Sequence, residues 1–178
     1  MSATPARRRG VRGMAVQGGV PSGGGGVAAR LGADIEKATA LAEAREERDR
    51  QMNEFGRKVR GLVTALNRVP GISCLMPGGT FYAFPSVASI CNRLKITSHG
   101  LAMYLLEGAD EQRGVACLGG ECFGEAGAGF LRLSCAEPDE RLSEAVEFIA
   151  TAVERDAEVS AYLATHEEFR LTGPYSSV

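Results

Sequence analysis

The sequence lacks the features that mark several large classes of protein. Its 178 residues carry 20 Lys and Arg against 22 Asp and Glu, so the composition does not indicate a basic surface for nucleic acid. No apolar run reaches the roughly 18 residues that a membrane span requires. The N-terminal arginines are followed by glycines and not by an apolar segment, which is unlike a secretory signal peptide. We therefore expect binding to neither nucleic acid nor membrane.

Metal-binding and disulfide patterns are missing as well. The two histidines, His99 and His166, lie far apart in the sequence. The five cysteines are irregularly spaced and include no Cys-x-x-Cys pair: Cys74, Cys91, Cys117, Cys122 and Cys135. The sequence therefore predicts neither a zinc site nor a disulfide framework. Reduced thiols in a cytoplasmic protein are the simplest interpretation.

The residues that are present divide the chain into three parts. Residues 1–27 are rich in glycine and arginine and offer little apolar surface, which predicts a disordered tail. Residues 34–153 are predicted to form one folded domain, and residues 154–178 a C-terminal helical or flexible tail. The domain begins with a helical pattern over 34–66, in which apolar residues recur at three- and four-residue steps. These residues are Met52, Phe55, Val59, Leu62, Val63 and Leu66.

Short strand and helix signals alternate after residue 70. Four segments are rich in β-forming residues: 72–75, 80–84, 114–117 and 130–134. Helical patterns occur at 97–106, where Thr97 or Ser98 can cap the helix, and at 138–153, which begins with a proline. This order predicts an α+β domain. We expect a small, largely antiparallel sheet with helices packed on one face, preceded by the long N-terminal helix.

A series of motifs punctuates this domain. Asn-Arg-Val-Pro-Gly at 67–71 is followed by Pro-Gly-Gly-Thr-Phe-Tyr-Ala-Phe-Pro at 77–85. Gly-Glu-Cys-Phe-Gly at 120–124 then precedes Phe-Leu-Arg-Leu-Ser at 130–134. In this order, and over roughly residues 50–153, the series resembles the C-terminal small domain of the class I/II, aspartate aminotransferase-like (fold type I) aminotransferases.

The resemblance implies a reaction, a cofactor and a substrate-binding residue. Enzymes of this family transfer an amino group between an amino acid and a 2-oxo acid, with pyridoxal phosphate as the electron sink. The position that matches the family's carboxylate-binding arginine is Arg132. A planar guanidinium suits this role because it can donate two parallel hydrogen bonds to a carboxylate. Without the resemblance, Arg132 would be interpreted as an ordinary surface arginine.

The neighbouring positions each have two interpretations. Residues 120–124 resemble the family loop beside the substrate pocket, in which case Gly120 and Phe123 contribute to substrate binding. The alternative is an ordinary turn, with Phe123 in the core. Tyr82 is predicted to pack in the core, as aromatic residues on strands commonly do. We predict no catalytic, cofactor-binding or metal-ligating residue.

The sequence departs from the family at the cofactor. Its three lysines, Lys37, Lys58 and Lys95, lie outside the Ser-x-x-Lys setting of the family's Schiff-base lysine, and the family's large domain has no counterpart. The resemblance therefore implies a C-terminal fragment that binds no pyridoxal phosphate and is inactive alone. Two alternatives are open: a non-catalytic carboxylate- or protein-binding α+β module, and one half of a split aminotransferase completed by a large-domain partner chain.

Overall fold

The computed structural model describes residues 24–176, and its first element is a long helix. Helix α1 extends over Gly24–Leu66 and so begins before the predicted start at residue 34. The good helix formers at 28–31 explain the difference, because adding residues to an existing helix requires no new nucleation. Of the predicted glycine-rich tail, residues 1–23 lie outside the described residues, whereas 24–27 belong to α1.

The described chain divides into two units, with the boundary after Arg45 inside α1. In the first unit, the described side chains from residue 29 onward are exposed. In the second unit, a buried face follows Phe55 at three- and four-residue steps and consists of Val59, Leu62, Val63 and Leu66. Met52 was predicted to share this face but is 60% exposed, because the packed core begins one turn later. Among residues 24–176, no helix is both long and apolar enough to cross a membrane.

The end of α1 is fixed by hydrogen bonds to the chain that follows. The side chain of Asn67 accepts the backbone N–H of Cys74 at 2.7 Å and donates to the carbonyl of the same residue at 2.9 Å. Between them, Gly71 adopts a φ of 81°, which glycine reaches without the steric cost that a side chain imposes. The chain therefore reverses over the predicted Pro-Gly punctuation.

A small antiparallel sheet follows. Its three strands are β1 (Tyr82–Ala83), β2 (Leu118–Gly119) and β3 (Leu131–Ser134). The third strand lies between the other two, and Leu118 of β2 is opposite Arg132 of β3. The predicted segments 80–84 and 130–134 contribute β1 and β3. The α+β class, with a small antiparallel sheet, packed helices and a long N-terminal helix, is confirmed.

Two predicted strands are wrong. Segment 72–75 forms only an isolated bridge through Ser73, and segment 114–117 is irregular, with β2 starting immediately after it. In the second case, the Val115 N–H donates to the carbonyl of Leu105 at 2.8 Å. That carbonyl belongs to a helical turn, so this backbone donor is not available to a neighbouring strand. Local β-propensity is overridden where no strand partner is present.

Two helices lie between β1 and β2, and one of them was not predicted. Helix α2 (Ala88–Leu94) has only seven residues, too few for a clear helical period. Helix α3 (Ser98–Met103) confirms the predicted helix near this position, and its cap is Thr97, whose hydroxyl accepts the Gly100 N–H at 2.9 Å. The helix continues as a π-helical turn over Tyr104–Gly108.

The last part of the chain is helical. Helix α4 (Asp139–Ala152) follows Pro138, as predicted. Its buried residues recur at three-residue steps: Val146, Ile149 and Ala152. Within residues 154–178, helix α5 covers Asp156–Thr165 and a 3-10 turn covers Glu167–Phe169. The C-terminal region therefore contributes to the packed unit through the buried Val159 and Leu163 of α5.

The five cysteines are all free thiols. Cys74, Cys91 and Cys135 are buried. Burial raises the pKa of Cys117 to about 12 and also raises that of Cys91. These groups are therefore protonated at neutral pH, and in this state a buried cysteine acts as a small apolar side chain.

Candidate carboxylate-binding site

The alternation of β3 places Arg132 and its neighbours on opposite faces of the sheet. Leu131 and Leu133 are 1% and 5% exposed and belong to the core. Arg132 lies between them in sequence, and its side chain is half-buried on the other face, because successive strand residues point to opposite sides. The sequence pattern predicted this direction, and the structure agrees with it.

Two aromatic rings flank the guanidinium group of Arg132. The guanidinium carbon is 4.5 Å from the ring centroid of Tyr82 and 4.6 Å from that of Phe123. Both distances suit cation–π attraction, which holds the cation over the ring faces. Among the described residues, Arg132 has no ion pair with a carboxylate and no side-chain hydrogen bond. The group is thus oriented by stacking while its N–H donors have no protein acceptor in the described part of the chain.

The loop over residues 119–124 brings Phe123 to this position. Its base is tightly packed: a Cβ atom added to Gly120 would lie 1.9 Å from the carbonyl oxygen of Gly127. The Gly120 N–H donates to the carbonyl of Phe130 at 2.8 Å, and Gly124 adopts a φ of 110°. Phe123 itself is 50% exposed. The alternative in which Phe123 belongs to the core is therefore wrong, whereas Gly120 is buried and shapes the loop through its backbone.

The same loop contains a partly buried carboxylate that sequence reasoning did not single out. Oε1 of Glu121 accepts the hydroxyl of Tyr175 at 2.6 Å and the backbone N–H of Ser98 at 3.1 Å. Burial by itself raises the pKa of Glu121, but hydrogen bonds from Ser98, Tyr175 and the backbone of Glu121 and His99 together outweigh that effect and hold the pKa below its ordinary value. Glu121 is therefore ionised at neutral pH. No sequence pattern could have paired it with a residue 54 positions away.

Further apolar side chains extend the surface around Arg132. The ring of Phe84 stacks on that of Phe130 at 5.2 Å and meets that of Phe123 edge-on at 6.2 Å. Phe84 and Leu118 are 39% and 41% exposed. Tyr82 also lies on this surface, half-buried and against Arg132, so the prediction that it packs in the core is wrong. Strand alternation puts Tyr82 on the same face as Arg132, and this register was not apparent from the sequence.

The three lysines have no described contact with the Arg132 site. The family's chemistry needs a lysine that can form a Schiff base, but Lys58 donates to the carbonyl of Glu137 at 3.0 Å and pairs with Glu54 at 3.4 Å. Lys95 is exposed at the end of α2, and Lys37 is exposed on α1. None of the three contacts Tyr82, Phe123 or Arg132 in the described hydrogen bonds and ion pairs.

A groove in the second unit lies apart from Arg132. It has a volume of about 560 Å³ and lies between the end of α1, residues 112–116 and helix α4. Its lining combines the apolar Val115 and Phe148 with the charged Arg141. Arg132, Phe123 and Gly120 do not line it. The predicted site is therefore distinct from this groove.

Known proteins with a similar sequence are aminotransferases. The chain is 38% identical over 116 residues to the aspartate aminotransferase of Streptomyces avermitilis, covering 62% of this chain and 25% of that protein. It is 36% identical over 130 residues to the aspartate/prephenate aminotransferase of Nitrosomonas europaea, covering 69% and 29%. No family model matches the chain. The chain thus spans about a quarter of the length of the curated relatives it matches.

Solved structures agree with this result. The crystal structure of an aromatic aminotransferase from Pyrococcus horikoshii superposes with a TM-score of 0.50 and 28% identity, covering 69% of this chain and 29% of that one. An alanine aminotransferase from Pyrococcus furiosus gives a TM-score of 0.51 and 26% identity. The relatives and structural neighbours of the chain are therefore aspartate aminotransferase-like, fold type I pyridoxal-phosphate enzymes, and the extent of the match is consistent with a C-terminal fragment of such a protein.

Proposed function

We propose that the chain is the C-terminal, substrate-carboxylate-binding part of a pyridoxal-phosphate-dependent aminotransferase. Arg132 would bind the α-carboxylate of the amino acid or 2-oxo acid, with Phe123 and Tyr82 as flanking walls. The observation that carries the proposal is the state of the Arg132 guanidinium group. It is held between two rings, and no carboxylate of the described residues neutralises it.

Other arginines of the chain show what a structural role looks like. Arg57 pairs with Asp139 at 2.7 Å, and Arg141 pairs with Glu144 at 3.0 Å. Arg132 differs because it is half-buried and flanked by rings. A bound carboxylate would supply the missing acceptor and could take two parallel hydrogen bonds from the guanidinium edge.

A carboxylate titration tests this role. We expect 2-oxoglutarate to bind the purified chain weakly, with a Kd in the millimolar range, and to shift the NMR signal of the Arg132 Nε–H group. Arg132→Gln should lower affinity by about 100-fold, because two charge-assisted hydrogen bonds are lost. Arg132→Lys should retain part of the affinity, since a lysine keeps the charge but not the fork.

Arg68→Gln provides the matched control for net charge. Arg68 is exposed on the turn after α1, and its replacement should leave the affinity unchanged. Equal losses of affinity in Arg68→Gln and Arg132→Gln would show that the effect comes from the net charge of the chain and not from a site at Arg132. Failure of wild-type chain to bind 2-oxoglutarate or aspartate at tens of millimolar would contradict the proposal.

We further infer that the isolated chain binds no pyridoxal phosphate and does not transaminate. The engagement of Lys58 and the exposure of Lys37 and Lys95 support this inference. Absorbance after addition of the cofactor, borohydride reduction and intact mass should reveal no stoichiometric adduct. A single-site adduct on one of the three lysines, with turnover above free cofactor, would refute it.

A second candidate function is one half of a split aminotransferase. The partly exposed apolar surface of Phe84, Leu118 and Phe123 next to Arg132 favours it, because such a patch commonly lies at an interface. The partner would be a large-domain chain carrying pyridoxal phosphate. Co-purification should then recover a cofactor-bearing chain, and Phe84→Ser should reduce its recovery. Elution of the chain by itself would favour a stand-alone carboxylate- or protein-binding module.

We also place the protein in the cytoplasm. The five free thiols support this location, because reducing compartments keep cysteines unpaired. Fractionation of cells that express a tagged chain, with thiol labelling of each fraction, tests it. Recovery of the chain from an oxidising compartment would contradict the assignment.

A further inference from the structure

The C-terminal segment 170–176, here named the strap, is hydrogen-bonded to α2 and to the start of α3. The backbone N–H of Leu171 donates to the carbonyl of Lys95 at 2.9 Å. Further along, Asn92 of α2 holds the backbone of Tyr175 in both directions. Its side chain accepts the Tyr175 N–H at 2.8 Å and donates to the Tyr175 carbonyl at 2.9 Å. The strap is thus fixed by specific bonds on both sides of Gly173.

Tyr175 reaches from the strap to the loop. Its hydroxyl donates to Oε1 of Glu121 at 2.6 Å and accepts the N–H of Ser98 at 3.1 Å. Burial and the hydrogen bond to Glu121 raise the pKa of Tyr175 to about 12. At neutral pH, therefore, a protonated hydroxyl meets an ionised carboxylate, and a hydrogen bond to a charged group is about twice as strong as a neutral one.

Glu121 depends strongly on this contact. Its second oxygen, Oε2, is buried and has no hydrogen-bond partner among the described residues. Removing the tyrosine hydroxyl would take away the shortest hydrogen bond to the first oxygen and leave the longer one from the Ser98 N–H. A half-satisfied buried carboxylate is unfavourable. The relief available to it is movement toward water, and the rest of its 3-10 turn, Gly120–Phe123, would move with it.

We propose that Tyr175 is a positioning residue for the Arg132 site, acting through Glu121 on the loop that carries Phe123. This inference rests on the proposed function of Arg132. Phe123 follows Glu121 by two positions in the same turn, and its ring is 4.6 Å from the Arg132 guanidinium carbon. The strap therefore sets one wall of the carboxylate site from a distant part of the sequence, and a change in the C-terminal segment changes substrate affinity.

Tyr175→Phe tests the link because it removes only the hydroxyl and keeps the ring. The ring packs against Gly129, since a Cβ atom added to that glycine would lie 3.2 Å from it. We expect amide exchange at residues 120–124 to rise about tenfold and the ring-current shift of the Arg132 Nε–H signal to decrease. Affinity for 2-oxoglutarate should fall about fivefold. Glu121→Ala should behave similarly, and the double variant should add little, because each change removes one partner of the same contact.

Tyr162→Phe is the matched control. Its hydroxyl also donates to a carboxylate, Oε1 of Glu107 at 3.2 Å, and its pKa is likewise raised to about 12 by burial and that contact. It should leave the loop exchange, the Arg132 signal and the affinity unchanged. Unaltered exchange and an unaltered Arg132 signal in Tyr175→Phe would overturn the proposal. If wild-type chain bound no carboxylate, the proposed function would fail, while the exchange and ring-current measurements would still decide whether Tyr175 positions the loop.

Discussion

The two faces of strand β3 differ in almost every physical respect although their residues alternate in sequence. On the inner face, Leu131 and Leu133 are nearly inaccessible to water. On the outer face, Arg132 is half-buried between two rings, and Phe123 of the neighbouring loop is half exposed. The inner face maintains the fold through burial of apolar area. The outer face leaves a cation without an acceptor among the described residues, and a stability requirement alone does not explain that arrangement.

The largest expected effect is a difference in the free energy of unfolding between substitutions on the two faces of β3. Leu131→Ala should lower the free energy of unfolding by about 3 kcal/mol, since it removes buried methyl groups and leaves a cavity. Arg132→Ala, one residue away, should change it by less than about 1 kcal/mol. Urea denaturation of both variants measures the difference. Similar losses for the two would show that Arg132 is primarily a structural residue.

The next effect concerns the loop over residues 119–124, which carries Phe123 to the outer face. Gly120→Ala introduces a Cβ atom 1.9 Å from the Gly127 carbonyl oxygen, so the backbone must shift. We expect a loss of about 2 kcal/mol in stability together with loss of carboxylate binding. Gly78→Ala, which meets no atom within 4 Å, is the control and should leave the site intact. A Gly120→Ala variant that keeps wild-type affinity would separate the loop from the site.

A smaller effect is expected on the outer face itself. Phe123→Ala removes one ring beside Arg132 and should weaken carboxylate binding about three- to fivefold, as cation–π attraction at exposed sites is worth about 0.5–1 kcal/mol. Thermal stability should hardly change, because the ring is half exposed. Calorimetric titration measures the affinity. Cys122→Ser, the adjacent exposed position, should match wild type, and an equal loss there would point to a general loop effect.

The smallest effect is a pH dependence. The folded pKa of Glu121 lies below its ordinary value, because hydrogen bonds from Ser98, Tyr175 and the backbone of Glu121 and His99 together outweigh the effect of burial. The stabilisation from this group is therefore fully present above the ordinary carboxyl pKa of about 4.3. It is lost as the pH falls through the lower folded value. Glu121→Gln should flatten the acid side of the stability curve relative to wild type, and curves of identical shape would contradict this origin.

Regular patterns in the sequence predicted the parts of the fold that rest on local periodicity. The face of α1 that contains Val59 and Leu66, the strand of Arg132 and the helix after Pro138 are confirmed. Helix α2 was not predicted, because seven residues are too few to show a helical period. The strand predicted at 114–117 failed because Val115 bonds to a helical carbonyl, and propensity cannot anticipate which partner a backbone group meets.

The site was predictable to the same extent. The motif at 130–134 identified Arg132 as a candidate and the motif at 120–124 identified Phe123, and the structure brings both side chains together. Tyr82 was assigned to the wrong environment, because only the strand register reveals which face it occupies. The contact between Glu121 and Tyr175 joins residues 54 positions apart, and no local pattern records such a pair.

The sequence by itself determined the class of fold, the inner and outer faces of β3 and the aminotransferases that the domain resembles. These follow from side-chain alternation and from motifs whose members are close along the chain. Only the tertiary structure decided that Tyr82 and Phe123 flank Arg132, and that Tyr175 of the strap is hydrogen-bonded to Glu121 of the loop that carries Phe123. The physical reason is that aromatic stacking and buried hydrogen bonds depend on distances in space, which chain folding sets between residues remote in sequence.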